Sequence, residues 1–232
     1  LRESIANILD LERLLSRISL DSAGPRDLLA LGISAAQLPA VAMRLGHLDS
    51  GAWKRLHGSL DCLTDIEQAI RTTLTEQPPV HLEDGGVIAS GVDRELDELR
   101  ALGASGKQSI AAIEERERQR TGIGSLKVRY NSVFGYYIEI TKSNLQNVPT
   151  DYERKQTLVN AERFTTPELK EYERSVLGAQ ERSLEIERRI FLELRRTILS
   201  ASARIRASAE AIAETDLLAC FAHLAAARNY VR

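Results

Sequence analysis

The side chains best suited to chemistry are a group of cations, amides and hydroxyls between residues 127 and 163. Six Lys and Arg side chains lie there among four carboxylates, and six minus four leaves a net charge of +2. Cations, amides and hydroxyls together bind phosphate oxygens. The residues predicted to contact nucleic-acid phosphates are Lys127, Arg129, Lys142, Ser143, Asn144, Lys155, Gln156, Asn160 and Arg163. On composition alone, a solvated face of a β-sheet explains the same residues, and both interpretations stay open.

No residue pattern typical of a catalytic or metal site accompanies these cations. The segment Gly103–Ser109 superficially resembles a phosphate-binding loop, but Ala101 stands where that motif has its first Gly, and Gln108 stands where it has Ser or Thr. The four histidines are scattered and form no zinc-binding motif. The sequence therefore predicts no catalytic residue, no metal site and no cofactor within this chain.

Composition favours a soluble, mainly helical protein. Of 232 residues, 43% are hydrophobic, 28% are charged and only 5% are aromatic, and the net charge is −2. These values exclude a histone-like basic protein and an acidic disordered tail. No run approaches the roughly 18 consecutive apolar residues that a membrane span needs, and Cys62 and Cys220 lack the spacing of a zinc site. The chain begins at Leu1 and its only Met is Met43, which favours a segment of a longer protein.

Apolar residues recur at helical spacing through most of the chain. Residues 1–92 predict short amphipathic helices that form a helical core, and residues 93–123 predict one long helix. Residues 167–232 predict a second long helix followed by a return helix of the core. Thr166 is the predicted cap of the second long helix, and Pro167 is its predicted first residue.

Residues 124–166 are the only part of the chain with β character. Alternation and β-branched residues predict four strands, at residues 125–130, 134–141, 156–160 and 163–166. Lys127 and Arg129 alternate with Leu126 and Val128, so the two cations are predicted on the face opposite the core. Because the ends of a compact insert lie close together, the long helices that flank it must run antiparallel. The predicted fold class is mainly α, with a helical core, two long antiparallel helices and a small inserted antiparallel β module.

Blocks of sequence, in order over essentially the whole chain, closely resemble the MutS family of DNA mismatch-repair ATPases. The blocks are Gly24–Leu28, Asp84–Ile88, Glu95–Leu99, Leu126–Asn131, Phe134–Ile140, Arg154–Phe164 and Thr166–Lys170. Several blocks in register are far more specific than any short motif.

This resemblance implies that the two long helices are the lever of that family and that residues 124–166 are its clamp. The segment would be non-catalytic: the clamp would grip the backbone of double-stranded DNA non-specifically, and the lever would couple DNA binding to an ATPase domain. ATP and Mg²⁺ are expected in that domain, which is missing here. For the longer protein, the resemblance implies a bacterial, cytoplasmic and nucleoid-associated location, a homodimer and a MutL-like partner. The alternative is a helical scaffold that docks a repair partner without touching DNA.

Overall fold

The computed structural model describes residues 1–104, 106–131 and 133–230. The chain folds into two compact units, of which the first comprises Leu1–Val92 and Ile186–Arg232 and the second comprises Asp93–Glu185. The predicted fold class is confirmed, because the described residues form a mainly α structure with one small antiparallel sheet.

Helices form most of the described structure. They are Arg2–Ile5 (α1), Leu11–Ser19 (α2), Pro25–Ala35 (α3), Leu38–Gly46 (α4), Gly51–Ser59 (α5), Thr64–Thr73 (α6), Arg94–Ala104 (α7), Gly106–Thr121 (α8), Pro167–Ser200 (α9) and Ser202–Arg228 (α10). Short 3-10 helices cover Leu82–Asp84 and Lys142–Asn147. In α2, the Asp10 carboxylate accepts a hydrogen bond from the Arg13 N–H at 2.9 Å and caps the first turn, while the apolar stripe of the helix is buried.

One stretch of the first unit, Pro25–Gly46, is long and apolar enough by composition to span a bilayer. In the structure it forms α3 and α4, and Leu28, Leu31, Leu38 and Val41 are buried in the core. Core packing therefore accounts for its apolar composition.

A buried carboxylate fixes the loop after the first 3-10 helix to α9. Glu187 is 1% exposed, and its side chain accepts hydrogen bonds from the N–H groups of Gly86 at 2.9 Å and Val87 at 2.7 Å. The next residue, Ile88, forms a β-bridge with Leu74. Glu187 thus supplies the acceptor for a buried backbone donor, as the interior of a folded unit requires.

Two ion pairs show that the helices of the second unit run antiparallel. Arg116 of α8 pairs with Glu168 at the start of α9. Arg182, further along α9, lies 3.0 Å from Glu95 at the start of α7. The end of α8 therefore lies beside the start of α9, and the start of α7 lies beside a later part of α9. This antiparallel arrangement was predicted from the compactness of the insert.

The single helix predicted over residues 93–123 is described as α7 and α8. Ser105, which lies between the two helices and within the Gly103–Ser109 segment, is outside the described residues. The start of α9 agrees with its prediction, since Pro167 is its first residue and the Thr166 hydroxyl accepts a hydrogen bond from the Leu169 N–H at 3.1 Å.

The four strands of the second unit form one antiparallel sheet. They are Lys127–Asn131 (β1), Gly135–Thr141 (β2), Glu153–Thr157 (β3) and Ala161–Thr165 (β4), in the spatial order β1-β2-β4-β3. One face of the sheet packs against the helices and buries a hydrophobic cluster. Its members include Ile113, Ile123, Leu126, Val128, Ile138, Ile140, Phe164 and Leu169.

The third strand differs from the prediction of residues 156–160. In the structure β3 begins at Glu153, because Arg154 pairs with Phe164 across to β4. The Leu158 N–H donates a hydrogen bond to the Ala161 carbonyl oxygen at 2.9 Å. Residues 158–160 therefore form the turn between β3 and β4 instead of the end of a strand.

The outer strands of the sheet, β1 and β3, carry charge along their open edges. On β1, the Val128 N–H donates to the Glu114 carboxylate of α8 at 2.7 Å. On β3, Glu153, Arg154 and Lys155 follow one another. The Glu114 side chain thus accepts a hydrogen bond from the Val128 N–H, which no neighbouring strand can reach.

Two apolar segments are only partly buried. Tyr130 is 56% exposed, and its ring packs against Tyr136 with 5.0 Å between the ring centres. In α10, Ile205 is buried, but Leu217 and Phe221 are exposed. The reason is that α10 packs against α1, α2 and α5, and its buried residues end at Thr215.

Candidate nucleic-acid interface

The sheet turns one face to the core cluster, and its other face carries exposed and half-buried charged side chains around the buried Tyr137. Val128, Ile138 and Phe164 belong to the core cluster, whereas Lys127 and Arg129 occupy the alternate positions of β1 and are exposed. The structure therefore places both cations on the face that the alternation predicted. We call this the outer face, and it carries Lys127, Arg129, Tyr137, Glu139, Gln156 and Arg163.

A single carboxylate at the centre of the outer face neutralises part of its positive charge. Glu139 lies 3.8 Å from the Arg129 Nε and 3.4 Å from the Arg163 Nε. Arg163 also donates a hydrogen bond to the Gln156 Oε1 at 2.7 Å, and its guanidinium lies 4.4 Å from the centre of the Tyr137 ring. Three of the predicted contact residues thus have partners within the sheet, so a phosphate would have to compete for them.

The cations of β3 also have internal partners. The Lys155 Nζ donates to the carbonyl oxygen of Phe134, in the turn between β1 and β2, at 2.6 Å. Arg154 lies 2.8 Å from the Glu162 carboxylate on β4. Lys155 therefore holds the turn between β1 and β2 in place before any ligand binds.

The other predicted residues lie together at one end of the sheet. Antiparallel pairing places the start of β1 beside the end of β2, and it places the end of β2 beside the start of β4. The Lys142 backbone N–H donates to the Asn160 carbonyl oxygen at 3.1 Å, which joins the segment after β2 to the turn before β4. We call this surface the sheet end, and it consists of Ser125, Lys127, Thr141, Lys142, Ser143, Asn144 and Asn160.

Short polar side chains organise the sheet end. The Asn144 Nδ2 donates hydrogen bonds to the Ser125 Oγ and the Thr141 Oγ1, both at 3.1 Å. The Thr141 Oγ1 also lies 3.2 Å from the Ser143 Oγ. Ser125 and Thr141 were not predicted as site residues, although pairing the two predicted strands in antiparallel register was the signal that could have found them.

Lys127 and Lys142 supply the available positive charge at the sheet end. Both residues are exposed, and within residues 1–104, 106–131 and 133–230 neither ammonium group has an ion pair or a hydrogen bond. A lysine ammonium is a compact charge on a flexible stem. Each can therefore approach a phosphate without giving up an internal partner.

A buried hydrogen bond attaches the β module to α8. The Tyr152 hydroxyl donates to the Glu117 Oε2 at 2.7 Å, and the Arg120 guanidinium lies 5.4 Å from the centre of the tyrosine ring. Burial, together with the bond to the Glu117 carboxylate, raises the pKa of Tyr152. Arg120 also pairs with Asp151 at 3.0 Å. This cluster holds the start of β3 and the end of α8 in a defined geometry.

The described residues contain no group of three or more His, Cys, Asp or Glu side chains that would hold a metal ion. Cys62 and Cys220 are free thiols. The chemistry that the outer face and the sheet end present is hydrogen bonding and positive charge.

Comparison with known proteins agrees with this architecture. The family model for MutS family domain IV matches residues 91–182, which contain the sheet, α7, α8 and the first part of α9. Over its whole length, the chain is 53% identical to the DNA mismatch repair proteins MutS of Solibacter usitatus and Myxococcus xanthus, and 49% identical to that of Alkaliphilus oremlandii. The chain spans about a quarter of the length of these curated relatives, 26% or 27% in each case.

Both the family model and the relatives therefore support the resemblance that the sequence blocks indicated. The match to domain IV falls on the second unit and the start of the long helix, and the identity to the relatives extends through the first unit. Along its whole length the chain is similar to part of these MutS proteins, and residues 91–182 match MutS family domain IV, which supports its interpretation as a MutS fragment.

Proposed function

We propose that the second unit is a clamp that binds the backbone of double-stranded DNA without sequence preference, and that the sheet end makes the contact. The observation that carries this proposal is that the ammonium groups of Lys127 and Lys142, which have no partner among the described residues, lie with amides and hydroxyls at one exposed end of the sheet. The names of the relatives, which are DNA mismatch repair proteins, support DNA as the ligand.

The expected strength follows from the number of cations that can reach phosphates. Lys127 and Lys142 are available at once, and Arg129 and Arg163 become available when a phosphate displaces Glu139. With about four phosphates engaged, the slope of log affinity against log salt concentration is roughly −3 to −4. Binding of this kind is weak at physiological salt and depends on charge, which suits a clamp that reads no base sequence.

The long helices are proposed to act mechanically as a lever. In the second unit α7 and α8 run antiparallel to α9, and the Glu117–Tyr152 bond ties the β module to α8. We propose that a displacement of the module is passed to α8 through this buried bond and from there along the helices. We propose that ATP and Mg²⁺ act in another part of the longer relatives, and that dimerisation and a MutL-like partner belong to the longer protein.

The test removes the two unpaired charges and measures binding at several salt concentrations. The double variant Lys127→Gln and Lys142→Gln is titrated with duplex DNA by fluorescence anisotropy. Losing two phosphate contacts reduces the magnitude of the salt slope by roughly 2 and weakens binding most at low salt. The control removes two exposed cations of the first unit, with Lys54→Gln and Arg71→Gln, and we expect it to leave the slope unchanged.

An equal slope in both double variants would overturn the proposed contact. The alternative, a helical scaffold for a repair partner, places its contacts on the charged helices. In the structure, however, Arg116 and Arg182 are paired with Glu168 and Glu95 of the same unit. Their internal pairing leaves less charge for a partner and favours the DNA-binding proposal.

A further inference from the structure

An apolar side chain projects from the turn between β3 and β4, which borders the polar surface that we assign to DNA. Val159 is 85% exposed, more than any other large apolar side chain in the described part of the chain. It occupies the middle of the turn between β3 and β4, which the hydrogen bond from Leu158 to Ala161 closes. Its neighbour Asn160 accepts the backbone hydrogen bond of Lys142. Val159 is therefore the chain neighbour of Asn160, whose backbone is bonded to that of Lys142.

Exposure alone assigns no role to such a residue, because single exposed apolar side chains are ordinary on protein surfaces. The opposite end of the same sheet demonstrates this, since Val133 in the turn between β1 and β2 is 80% exposed. What distinguishes Val159 is its surroundings. Lys127 and Lys142, which have no partner among the described residues, lie at the same end of the sheet as Val159. At the turn that contains Val133, the nearby cation is Lys155, and its ammonium already donates a hydrogen bond to the Phe134 carbonyl oxygen.

We infer that Val159 contacts the deoxyribose of duplex DNA between phosphates bound by the sheet end, and that this contact makes the surface prefer DNA to RNA. The inference rests on the proposed function and names the chemical basis of its ligand preference. Next to the phosphates, a nucleic-acid backbone offers one apolar surface, which is the sugar. In RNA the 2′-hydroxyl makes that surface polar, and this group is what allows a protein to distinguish the two.

The geometry and the chemistry point in the same direction. Lys142 and Asn160, on either side of the backbone hydrogen bond, provide a cation and an amide that bind phosphate oxygens. A phosphate held there brings its adjacent sugar over the turn, where Val159 is the side chain that projects. Burying the two methyl groups against a deoxyribose removes apolar surface from water, whereas burying them against a 2′-hydroxyl removes a polar group from water without a hydrogen bond.

The test replaces one methyl group by a hydroxyl. Val159→Thr keeps the size and branching of the side chain, and a buried methyl contributes about fourfold to an equilibrium. We expect the variant to lose about fourfold in affinity for duplex DNA, with an unchanged salt slope, and to lose less than about twofold for duplex RNA of the same length. Val133→Thr makes the same chemical change at an equally exposed turn, and we expect no change with either duplex.

Melting temperatures of both variants establish that the fold is intact. Val159→Ala provides a second, wholly apolar truncation if the threonine disturbs the turn, and a DNA-selective loss is expected there too. The inference is wrong if DNA affinity is unchanged in both Val159 variants, or if RNA affinity falls as much as DNA affinity. In either case a reduced salt slope in the Lys127 and Lys142 double variant would leave the proposed function standing. Equal slopes in that variant and its control would remove both.

Discussion

Glu187 offers a stringent test of how α9 is attached to the first unit. Its carboxylate accepts one hydrogen bond from the buried Val87 N–H and one from the Gly86 N–H. Hydrogen bonds to a charged group contribute roughly 1.5–3 kcal/mol each when buried, and the Gly86 bond is partly open to water. Removing both with Glu187→Ala should therefore lower the free energy of unfolding by roughly 2–4 kcal/mol.

Glu187→Gln is the sharper perturbation because it is isosteric. The amide keeps one acceptor but turns its NH₂ group towards the second backbone N–H, so one bond is lost and the charge is removed. We expect a loss of roughly 2 kcal/mol, which is a large part of the 5–15 kcal/mol that stabilises a typical domain. Glu193→Gln, at an exposed position of the same helix, is the matched control.

The assay is urea denaturation followed by the fluorescence of Trp53. This is the only Trp of the chain and lies in α5, so its signal reports the first unit. The denaturation midpoint should fall in both Glu187 variants while the slope of stability against urea concentration stays constant. A midpoint for Glu187→Gln equal to that for Glu193→Gln would show that the two hydrogen bonds do not stabilise the unit.

Two further predictions concern stability. Arg204 donates hydrogen bonds to Asp65 and holds the pKa of that carboxyl at about 2, below its ordinary value, so the pair stabilises the fold above about pH 4 and this contribution is lost as the pH falls towards 2. Between about pH 4 and pH 2, the free energy of unfolding should fall less in Arg204→Gln than in the unsubstituted protein. A fall of equal size in both would contradict the prediction. Gly135 has a φ of +69°, a conformation that is strained for any residue with a Cβ, and the Glu173 carboxylate would also have to move to make room for one. Gly135→Ala should therefore lower the melting temperature, by an amount corresponding to at least about 1 kcal/mol, while Gly124→Ala, where a Cβ meets open space, should not.

Local sequence signals predicted the elements that local chemistry controls. The Thr166–Pro167 pair marked the start of α9, because a hydroxyl cap and a proline at the first position act within one turn. Alternation along β1 placed Lys127 and Arg129 on the exposed face for a similar reason. The antiparallel course of the long helices followed from the compactness of the insert between them.

Contacts between distant residues decided which predicted site residues are available. Arg163 meets Glu139, 24 positions earlier, and Lys155 meets Phe134, 21 positions earlier. Which residues stand opposite one another depends on the register of β2, β4 and β3, and the predicted β3 was displaced by about three residues. No local pattern therefore distinguished these engaged cations from Lys127, whose ammonium is unpaired in the described structure.

The way the sheet is bordered also has a consequence for the behaviour of the protein at high concentration. An open strand edge with unpaired backbone groups is a template on which a second molecule can add a strand, and natural proteins block this with charge and by covering the edge. At one edge, the Glu114 carboxylate accepts a hydrogen bond from the outward-pointing Val128 N–H of β1. At the other edge, β3 carries three successive charged residues, Glu153, Arg154 and Lys155. A four-stranded sheet that is open at both sides is thereby protected against intermolecular strand addition and aggregation.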